Sequence, residues 1–230
     1  MKHLIFDSGP LINFSMNGLL YLLEKLKKDF KGNFLITKEV KEEIIDYPLT
    51  IKKFELGALR LKKLYEDGII SHANINKKEV EELRVIRDNL IQIANTTFKT
   101  RNRYLHILDK GEAAALALSL LMKRRHGEEV PIVIDERTAR MLSENPGNLR
   151  RIFEKKFSTS TYAESKNYDF FKNFKIIRSA EIAYIAYKKN FIELKDTRTL
   201  DAILYGLKYR GCSISEEEIE ELKRLRLERL

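Results

Sequence analysis

Four acidic residues of this chain occur at positions from which their carboxylates could share one site. Asp7 and Asp135 each directly follow a short apolar run typical of a buried strand, and Glu43 and Glu112 lie near the starts of segments with helical spacing. Carboxylates that are brought together repel one another unless a cation neutralises them. Hard oxygen ligands favour Mg²⁺ or Mn²⁺, which can hold a phosphate and activate water. We therefore predict a four-carboxylate Mg²⁺ or Mn²⁺ site that hydrolyses phosphodiester bonds.

Alternating apolar runs and helical patterns predict the elements that position these acids. Strands are predicted at 3–6, 34–36, 69–73, 131–134 and 174–177. Helices are predicted at 11–28 with a break near 17–18, and at 38–45, 52–66, 77–95, 109–124, 137–142, 179–190, 197–210 and 215–229, with Pro146 and Gly147 breaking the pattern. Such alternation predicts an α/β fold with a central, mostly parallel sheet and helices on both faces. In such sheets, sites form outside the carboxyl ends of the strands, where the four acids are expected.

Each acidic residue also has a structural interpretation that the sequence leaves open. Asp7 could cap the helix that follows it, and Glu112 could interact with a helix dipole. Glu43 is the best candidate in its segment, but Glu39 or Glu42 could take its place. The accessory candidates are Ser8, read as a helix cap, Asp109, read as a cap or an outer acid, and Glu136, read as a ligand or a surface acid.

A basic and aromatic segment precedes the helix that contains Glu112, and we interpret residues 96–106 as a loop or frayed element. Interleaved cations and an aromatic ring suit a single-stranded nucleic acid, whose backbone is anionic and whose bases stack. A solvated loop without a ligand is the alternative. The predicted nucleic-acid contacts are Lys99, Arg101, Arg103, Tyr104, Arg137 and Arg140.

Composition limits the class of protein further. Hydrophobic residues make up 43% of the 230 residues, which indicates a globular fold, and charged residues make up 33%, a share seen in thermophilic proteins. The formal net charge of +9 favours an anionic partner such as nucleic acid or a membrane surface. No apolar run approaches the roughly 20 residues that span a bilayer, and the single cysteine excludes a disulfide framework, so we expect a cytoplasmic protein. We predict a domain over 1–165 and a mostly helical extension over 166–230 that packs on it.

Four stretches resemble a known pattern, and the third and fourth agree with it in both sequence and order. They are residues 5–12 with Asp7, residues 37–44 with Glu43, residues 111–118 with Glu112, and residues 132–140 with Asp135. In these stretches the chain resembles the PIN-domain nuclease family, over about residues 3–142. The long interval between Glu43 and Glu112 and the helices beyond residue 190 depart from the compact family pattern.

The resemblance implies a three-layer α/β/α, Rossmann-like fold of PIN type and a metal-dependent endoribonuclease. It implies that Asp7, Glu43, Glu112 and Asp135 are the metal ligands and that one of them accepts the proton of the attacking water. Single-stranded RNA is the expected substrate, and a homodimer, a protein partner or an antitoxin is compatible with it. The alternative is a PIN-like module that binds RNA or protein with weak or no catalytic activity. A small-molecule enzyme is disfavoured, because the chain has no glycine-rich phosphate loop.

Overall fold

A five-stranded parallel sheet forms the centre of this protein, and a computed structural model describes residues 2–127 and 129–227. The strands among the described residues are β1 His3–Phe6, β2 Asn33–Ile36, β3 Ile70–His72, β4 Phe98–Thr100, β5 Arg103–Tyr104, β6 Ile132–Val133, β7 Tyr162–Ala163 and β8 Ile176–Ile177. The central sheet has the order β3-β2-β1-β6-β8, and a smaller antiparallel sheet has the order β5-β4-β7. The five strands predicted from the apolar runs are therefore the strands of the central sheet.

Helices account for most of the remaining described residues. They are α1 Ser8–Met16, α2 Leu20–Phe30, α3 Lys38–Lys41, α4 Glu55–Glu66, α5 Lys77–Asn95, α6 Lys110–His126, α7 Arg137–Glu144, α8 Pro146–Phe157, α9 Ser179–Lys188, α10 Thr199–Tyr209 and α11 Glu216–Leu227. Helix α3 continues as a π-helical turn over Glu42–Asp46, and short 3₁₀ helices cover Pro48–Thr50 and Ser165–Phe170. Among the described helices, none is both long enough and apolar enough to cross a membrane.

The side chains of the central sheet alternate between two hydrophobic cores. In β1, Leu4 and Phe6 join one core, whereas Ile5 joins the other. Helices α1, α2, α4, α9 and α10 pack into the first core, and helices α5 to α8 pack into the second. Strands buried on both faces are expected where helices cover both sides of a parallel sheet. The predicted α/β class, with helices on both faces of a parallel sheet, is confirmed.

The order of the strands reverses at β1, and this reversal positions the acidic residues. From β1 the chain continues outward through β2 and β3, and it later returns to the other side of β1 as β6. Ile5 lies opposite Leu35 on one side and Ile132 on the other, and the Asp7 N–H donates to the Val133 carbonyl at 3.0 Å. In open α/β sheets, such a reversal leaves a crevice at the carboxyl ends of the strands.

Residues 98–104 form a hairpin, so the interpretation of residues 96–106 as a loop was wrong. Phe98 and Thr100 are buried, and residues 101–102 turn the chain with positive φ angles of 45° and 63°. Left-handed conformations at two successive positions suit a tight hairpin turn. β7 pairs with the other side of β4. The pairing partner lies about sixty residues further along the chain, so the local pattern did not reveal this sheet.

The predicted break at Pro146 and Gly147 is present, because α7 ends at Glu144 and a separate helix, α8, begins at Pro146. Proline is tolerated in the first turn of α8, and the Asn145 side chain accepts from the Asn148 N–H at 3.1 Å. One further local prediction was wrong. Ser8 is not a cap but lies inside α1, whose N-cap is Asp7.

The C-terminal segment is bonded to the rest of the fold. Strand β8 pairs with β6, so a boundary at residue 165 separates this strand from the sheet to which it belongs. Arg178, before α9, is almost fully buried and donates to Glu181, to the Ser213 carbonyl at 3.0 Å and to Glu218 at 2.9 Å. Arg178 therefore connects α9 to α11 and to the loop around Ser213.

We expect Arg178→Gln to destabilise the fold by about 1.5–3 kcal/mol, because it removes the charge-assisted hydrogen bonds of a buried arginine to Glu181 and Glu218, whose side chains are partly exposed. The matched control is Arg198→Gln, which removes an ion pair to Asp196 whose arginine side chain is 84% exposed. An exposed pair contributes little, so the control should lose much less stability. Urea unfolding of both variants checks the prediction, and equal losses would contradict it.

Candidate functional site

One pocket at the carboxyl ends of β1 and β6 gathers the acidic residues singled out by the sequence. Its volume is about 220 Å³, and Asp7, Glu43, Glu112 and Asp135 all line it. The other lining residues are Ser8, Gly9, Asp109, Gly111, Glu136, Arg210 and Gly211. The structure therefore brings together the four predicted acids and the three predicted accessory residues.

Asp7 lies at the centre of this pocket and is buried. Its Oδ2 atom accepts from the Gly9 N–H at 3.4 Å, whereas its Oδ1 atom is buried without a hydrogen-bond partner among the described residues. The pKa of Asp7 is raised to about 7, chiefly by burial and also by the nearby charges of Glu43 and Asp135, against the lowering effect of backbone N–H groups. A buried carboxylate oxygen without a partner is costly unless a ligand or cation satisfies it.

Glu112 faces Asp7 from the first turn of α6. It is buried, and its Oε2 atom accepts from the Asp109 N–H at 2.9 Å, which fixes one oxygen at the helix start. Burial raises the pKa of Glu112 to about 8, and the negative charge of Asp7 contributes next. Two neighbouring acids with raised pKa values are typical of a functional site.

Glu43 reaches the pocket from the π-helical turn. A Cβ atom placed on Gly111 would lie 3.1 Å from Glu43 Oε2 and 3.6 Å from Asp7 Oδ1, so the missing side chain of Gly111 leaves room for these two acids. Glu39 pairs with Arg87 and Glu42 with Lys38, and both line a different cleft. Of the three candidates in this segment, Glu43 is the acid that lines the acidic pocket.

Asp135 is buried and is held by three hydrogen bonds. The Ser179 N–H donates to Oδ1 at 2.7 Å, while the Ser179 hydroxyl at 2.7 Å and Asn13 Nδ2 at 3.0 Å donate to Oδ2. Asn13 also donates to the Leu207 carbonyl at 3.1 Å, which ties α1 to α10. Both oxygens of Asp135 are therefore engaged by the protein, unlike Oδ1 of Asp7.

The donor chemistry of the pocket fits a hard divalent cation. Asp7, Glu43 and Glu112 offer only carboxylate oxygens, which suit Mg²⁺ and Mn²⁺, and the partnerless Oδ1 of Asp7 is open to a ligand. Within residues 2–127 and 129–225, however, no group of three or more Asp, Glu, His or Cys side chains is arranged to hold an ion. The pocket thus has suitable ligands that are not preassembled into a coordination shell.

The accessory acids make local contacts in addition to lining the pocket. Asp109 lies 2.6 Å from His106 Nε2, and it occupies the N-cap position of α6. Glu136 caps α7, since its Oε2 atom accepts from the Ala139 N–H at 2.7 Å. Ser8 is buried in the first turn of α1. The capping interpretation therefore holds for the position of Asp109, whereas the capping role of Glu136 was not among the roles predicted for it.

The predicted arginines after β6 differ in their surroundings. Arg140 donates to Glu144 at 3.0 Å and to the Ser213 carbonyl at 3.3 Å, so its guanidinium group is already bound within the protein. Arg137 is exposed, and no described residue forms an ion pair with its side chain. Of these two cations, Arg137 is the one available to a ligand.

Arg210 is a residue of the pocket that the sequence did not reveal. It is exposed at the end of α10, it makes no side-chain hydrogen bond or ion pair with a described residue, and it is the only cation among the described residues that line the pocket. Asn13, Ser179 and Arg210 are isolated polar residues in helical segments, and no spacing connects them with Asp7 or Asp135. Only the tertiary contacts assign them to the site.

The hairpin residues lie outside the acidic pocket and form a surface of their own. Lys99 lies opposite Tyr104 on one side and Tyr162 on the other, and its Nζ atom lies 5.6 Å from the centre of the Tyr104 ring. Tyr104 is 58% exposed and Tyr162 is 61% exposed. Arg101 and Arg103 are also exposed. We call the row Tyr104, Lys99 and Tyr162 the tyrosine row.

Comparison of the chain with protein-family models gives no match, and neither does comparison with curated proteins or with solved structures.

We expect the stability of the metal-free protein to fall as the pH rises. Folding raises the pKa of Asp7 from 3.8 to about 7 and that of Glu112 from 4.5 to about 8. Between the unfolded-state and folded-state pKa values of each acid, the folded protein binds more protons than the unfolded protein. The free energy of unfolding therefore decreases as the pH rises from about 4 to about 8. Urea unfolding across this range measures the slope.

The variants Asp7→Asn and Glu112→Gln should each flatten this slope, because neither side chain then has to ionise in the pocket. Glu42→Gln, an exposed acid outside the pocket, is the control and should leave the slope unchanged. A slope that persists undiminished in Asp7→Asn would show that the burial of this acid does not control the pH dependence.

Proposed function

We propose that this protein is a Mg²⁺- or Mn²⁺-dependent endoribonuclease of PIN type. The observation that carries the proposal is the convergence of Asp7, Glu43, Glu112 and Asp135 in one pocket, with a buried Asp7 oxygen that lacks a partner. Keeping these acids ionised together requires a compensating cation. The resemblance of four stretches to the PIN family, and a parallel sheet whose order reverses at the site, support the same chemistry.

In this proposal Asp7, Glu43 and Glu112 hold the ion, and Asp135 adds its charge to the pocket. The ion would neutralise the acids, bind the scissile phosphate and lower the pKa of a bound water. One acid of the pocket would accept the proton of the attacking water. Asn13 and Ser179 fix the orientation of Asp135. Direct ligation by Asp135 stays a prediction.

In this proposal, cations near the acidic pocket and on the hairpin contact the RNA substrate. Arg210 and Arg137 lie at or next to the acidic pocket without described ion-pair partners, so they can contact the phosphates on either side of the cleaved bond. The net charge of +9 attracts an RNA backbone over a longer range. The tyrosine row, with Arg101 and Arg103, supplies two exposed rings and nearby cations for a single strand.

A second candidate function is a PIN-like module that binds RNA or protein with weak or no catalysis. The observation that favours it is the engagement of both Asp135 oxygens together with the absence, among the described residues, of an arranged group of metal ligands. The two functions differ in whether a divalent ion binds and supports turnover. Homodimerisation and a protein partner such as an antitoxin stay predictions in both.

The test of the first function is metal-dependent cleavage of a generic single-stranded RNA. We expect cleavage in Mn²⁺ or Mg²⁺, and loss of about a hundredfold or more in Asp7→Asn, because a missing ligand costs at least as much as a missing outer-shell partner. Mn²⁺ should also raise the melting temperature of the wild type, since it binds only the folded state, and should not raise that of Asp7→Asn.

The control for this test is Asp46→Asn, which removes the same charge from the same π-helical turn as Glu43 but at an exposed position that lines neither the acidic pocket nor the neighbouring cleft. It should cleave RNA and respond to Mn²⁺ like the wild type. RNA binding without cleavage, together with a melting temperature that no divalent ion changes, would establish the binding module instead.

A separate prediction concerns the hairpin. Replacing Arg101 and Arg103 together by Gln should make the plot of log RNA affinity against log salt concentration less steep by about one to two units of slope, since fewer counterions are released. Tyr104→Ala should weaken the binding of single-stranded RNA by about 1–3 kcal/mol and leave the binding of duplex RNA nearly unchanged. Fluorescence titrations across a salt series measure both effects. If affinity is unchanged in correctly folded variants, the hairpin is not part of the RNA footprint.

A further inference from the structure

A second and larger cleft lies beside the acidic pocket. Its volume is about 640 Å³, and it opens at the carboxyl ends of β2 and β3, where Ile36 and His72 line it. Two backbone segments separate the clefts: Glu42 and Lys110 line the larger one, and their immediate neighbours Glu43 and Gly111 line the acidic pocket. The two sites are therefore adjacent on the same edge of the sheet. We call the larger one the side cleft.

Part of the lining of the side cleft is apolar, beside the polar and charged residues that also line it. Ile36, Leu83 and Leu118 are buried there, and Ile75 and Val80 are partly exposed beside them. A volume of a few hundred Å³ with an apolar lining and a few polar groups is typical of a small-molecule site. The apolar lining suits a flat ring system better than a hydrated phosphate or a flexible charged chain.

The polar groups of the side cleft add a hydrogen-bonding edge. His72 Nδ1 lies 3.1 Å from the Ile36 carbonyl, and because a carbonyl only accepts, Nδ1 carries the proton in this contact. The Nε2 atom of the neutral ring is then an acceptor. Lys38 lies 3.5 Å from Glu42, and Arg87 is bound by both Glu39 and Asp88.

Lys110 lies at the boundary between the two clefts, and none of these acids pairs with it. It is exposed, and no described residue forms an ion pair or hydrogen bond with its side chain. It is the first residue of α6, directly before Gly111 and two positions before Glu112. A phosphate that joins a ligand in the side cleft to one in the acidic pocket would lie near this cation.

We propose that the side cleft binds one nucleobase of the RNA strand next to the cleaved bond. The apolar lining packs against the base, the His72 ring accepts from its edge, and Lys110 pairs with the connecting phosphate. This inference rests on the proposed ribonuclease function, because the acidic pocket positions the scissile phosphate. The cleft would make cleavage depend on the identity of the neighbouring base.

The experiment fills the side cleft without touching the acids. Val80→Trp places a large side chain in the cleft, whereas Val85→Trp adds the same side chain to the same helix at a position that is 60% exposed and does not line the cleft. The probes are AMP, GMP, CMP and UMP, and their binding is titrated by NMR without divalent ions. Cleavage of a random-sequence RNA pool in Mn²⁺ gives the base preference beside the cut.

We expect the wild type and Val85→Trp to bind at least one of the four nucleotides with the same affinity, and Val80→Trp to bind it about tenfold more weakly or worse. Val80→Trp should also lose the base preference. Lys110→Gln, which leaves the apolar lining intact, should weaken the binding of the nucleotide but not that of its nucleoside. This second variant tests the proposal if Val80→Trp does not fold.

Failure of this inference is distinguishable from failure of the proposed function. Nucleotide binding that Val80→Trp abolishes would support the side cleft even if no RNA were cleaved, and the ribonuclease proposal alone would then fall. RNA cleavage by the wild type without any nucleotide binding, or equal binding by Val80→Trp and Val85→Trp, would overturn the side cleft and leave the ribonuclease proposal standing.

Discussion

The site depends on the repulsion between carboxylates that the fold holds together with little water around them. Asp7 and Glu112 are both buried, and each raises the cost of ionising the other. The surrounding structure limits this cost in specific ways. Backbone N–H groups at two helix starts donate to these acids, and Gly111 leaves the space that Glu43 needs. One oxygen of Asp7 still lacks a partner among the described residues, and a cation would satisfy it.

The same constraint explains why the C-terminal segment belongs to the site. The Asp135 carboxylate is held in place by hydrogen bonds from Ser179 of α9 and Asn13 of α1, so repulsion from the other acids does not displace it. The Ser213 N–H donates to the Asp135 carbonyl at 3.0 Å, and Arg178 binds the Ser213 carbonyl in turn. The segment beyond β8 therefore fixes the geometry of an acid that follows β6, in addition to covering one face of the sheet.

The distribution of charge around the acidic pocket fits a polyanionic substrate. Some cations near the site are neutralised by acids, as Arg140 is by Glu144 and Arg87 is by Glu39. Arg137, Arg210 and Lys110 lack such partners among the described residues; Arg210 lines the acidic pocket and Lys110 lines the side cleft. A strand that passes from the side cleft across the acids would meet a cation at each step, while the acids remain available to an ion.

Local sequence patterns alone determined the central strands, the long helix α5 and the positions of Asp7 and Asp135 at strand ends, because strand and helix periodicities and capping act over a few residues. The convergence of these two acids followed from the rules of parallel sheets. Only the tertiary structure decided what depends on distant partners. The pairing of β4 with β7, the contacts of Asn13 and Ser179 with Asp135, and the placement of Arg210 all join residues far apart in the chain, and no local periodicity encodes them.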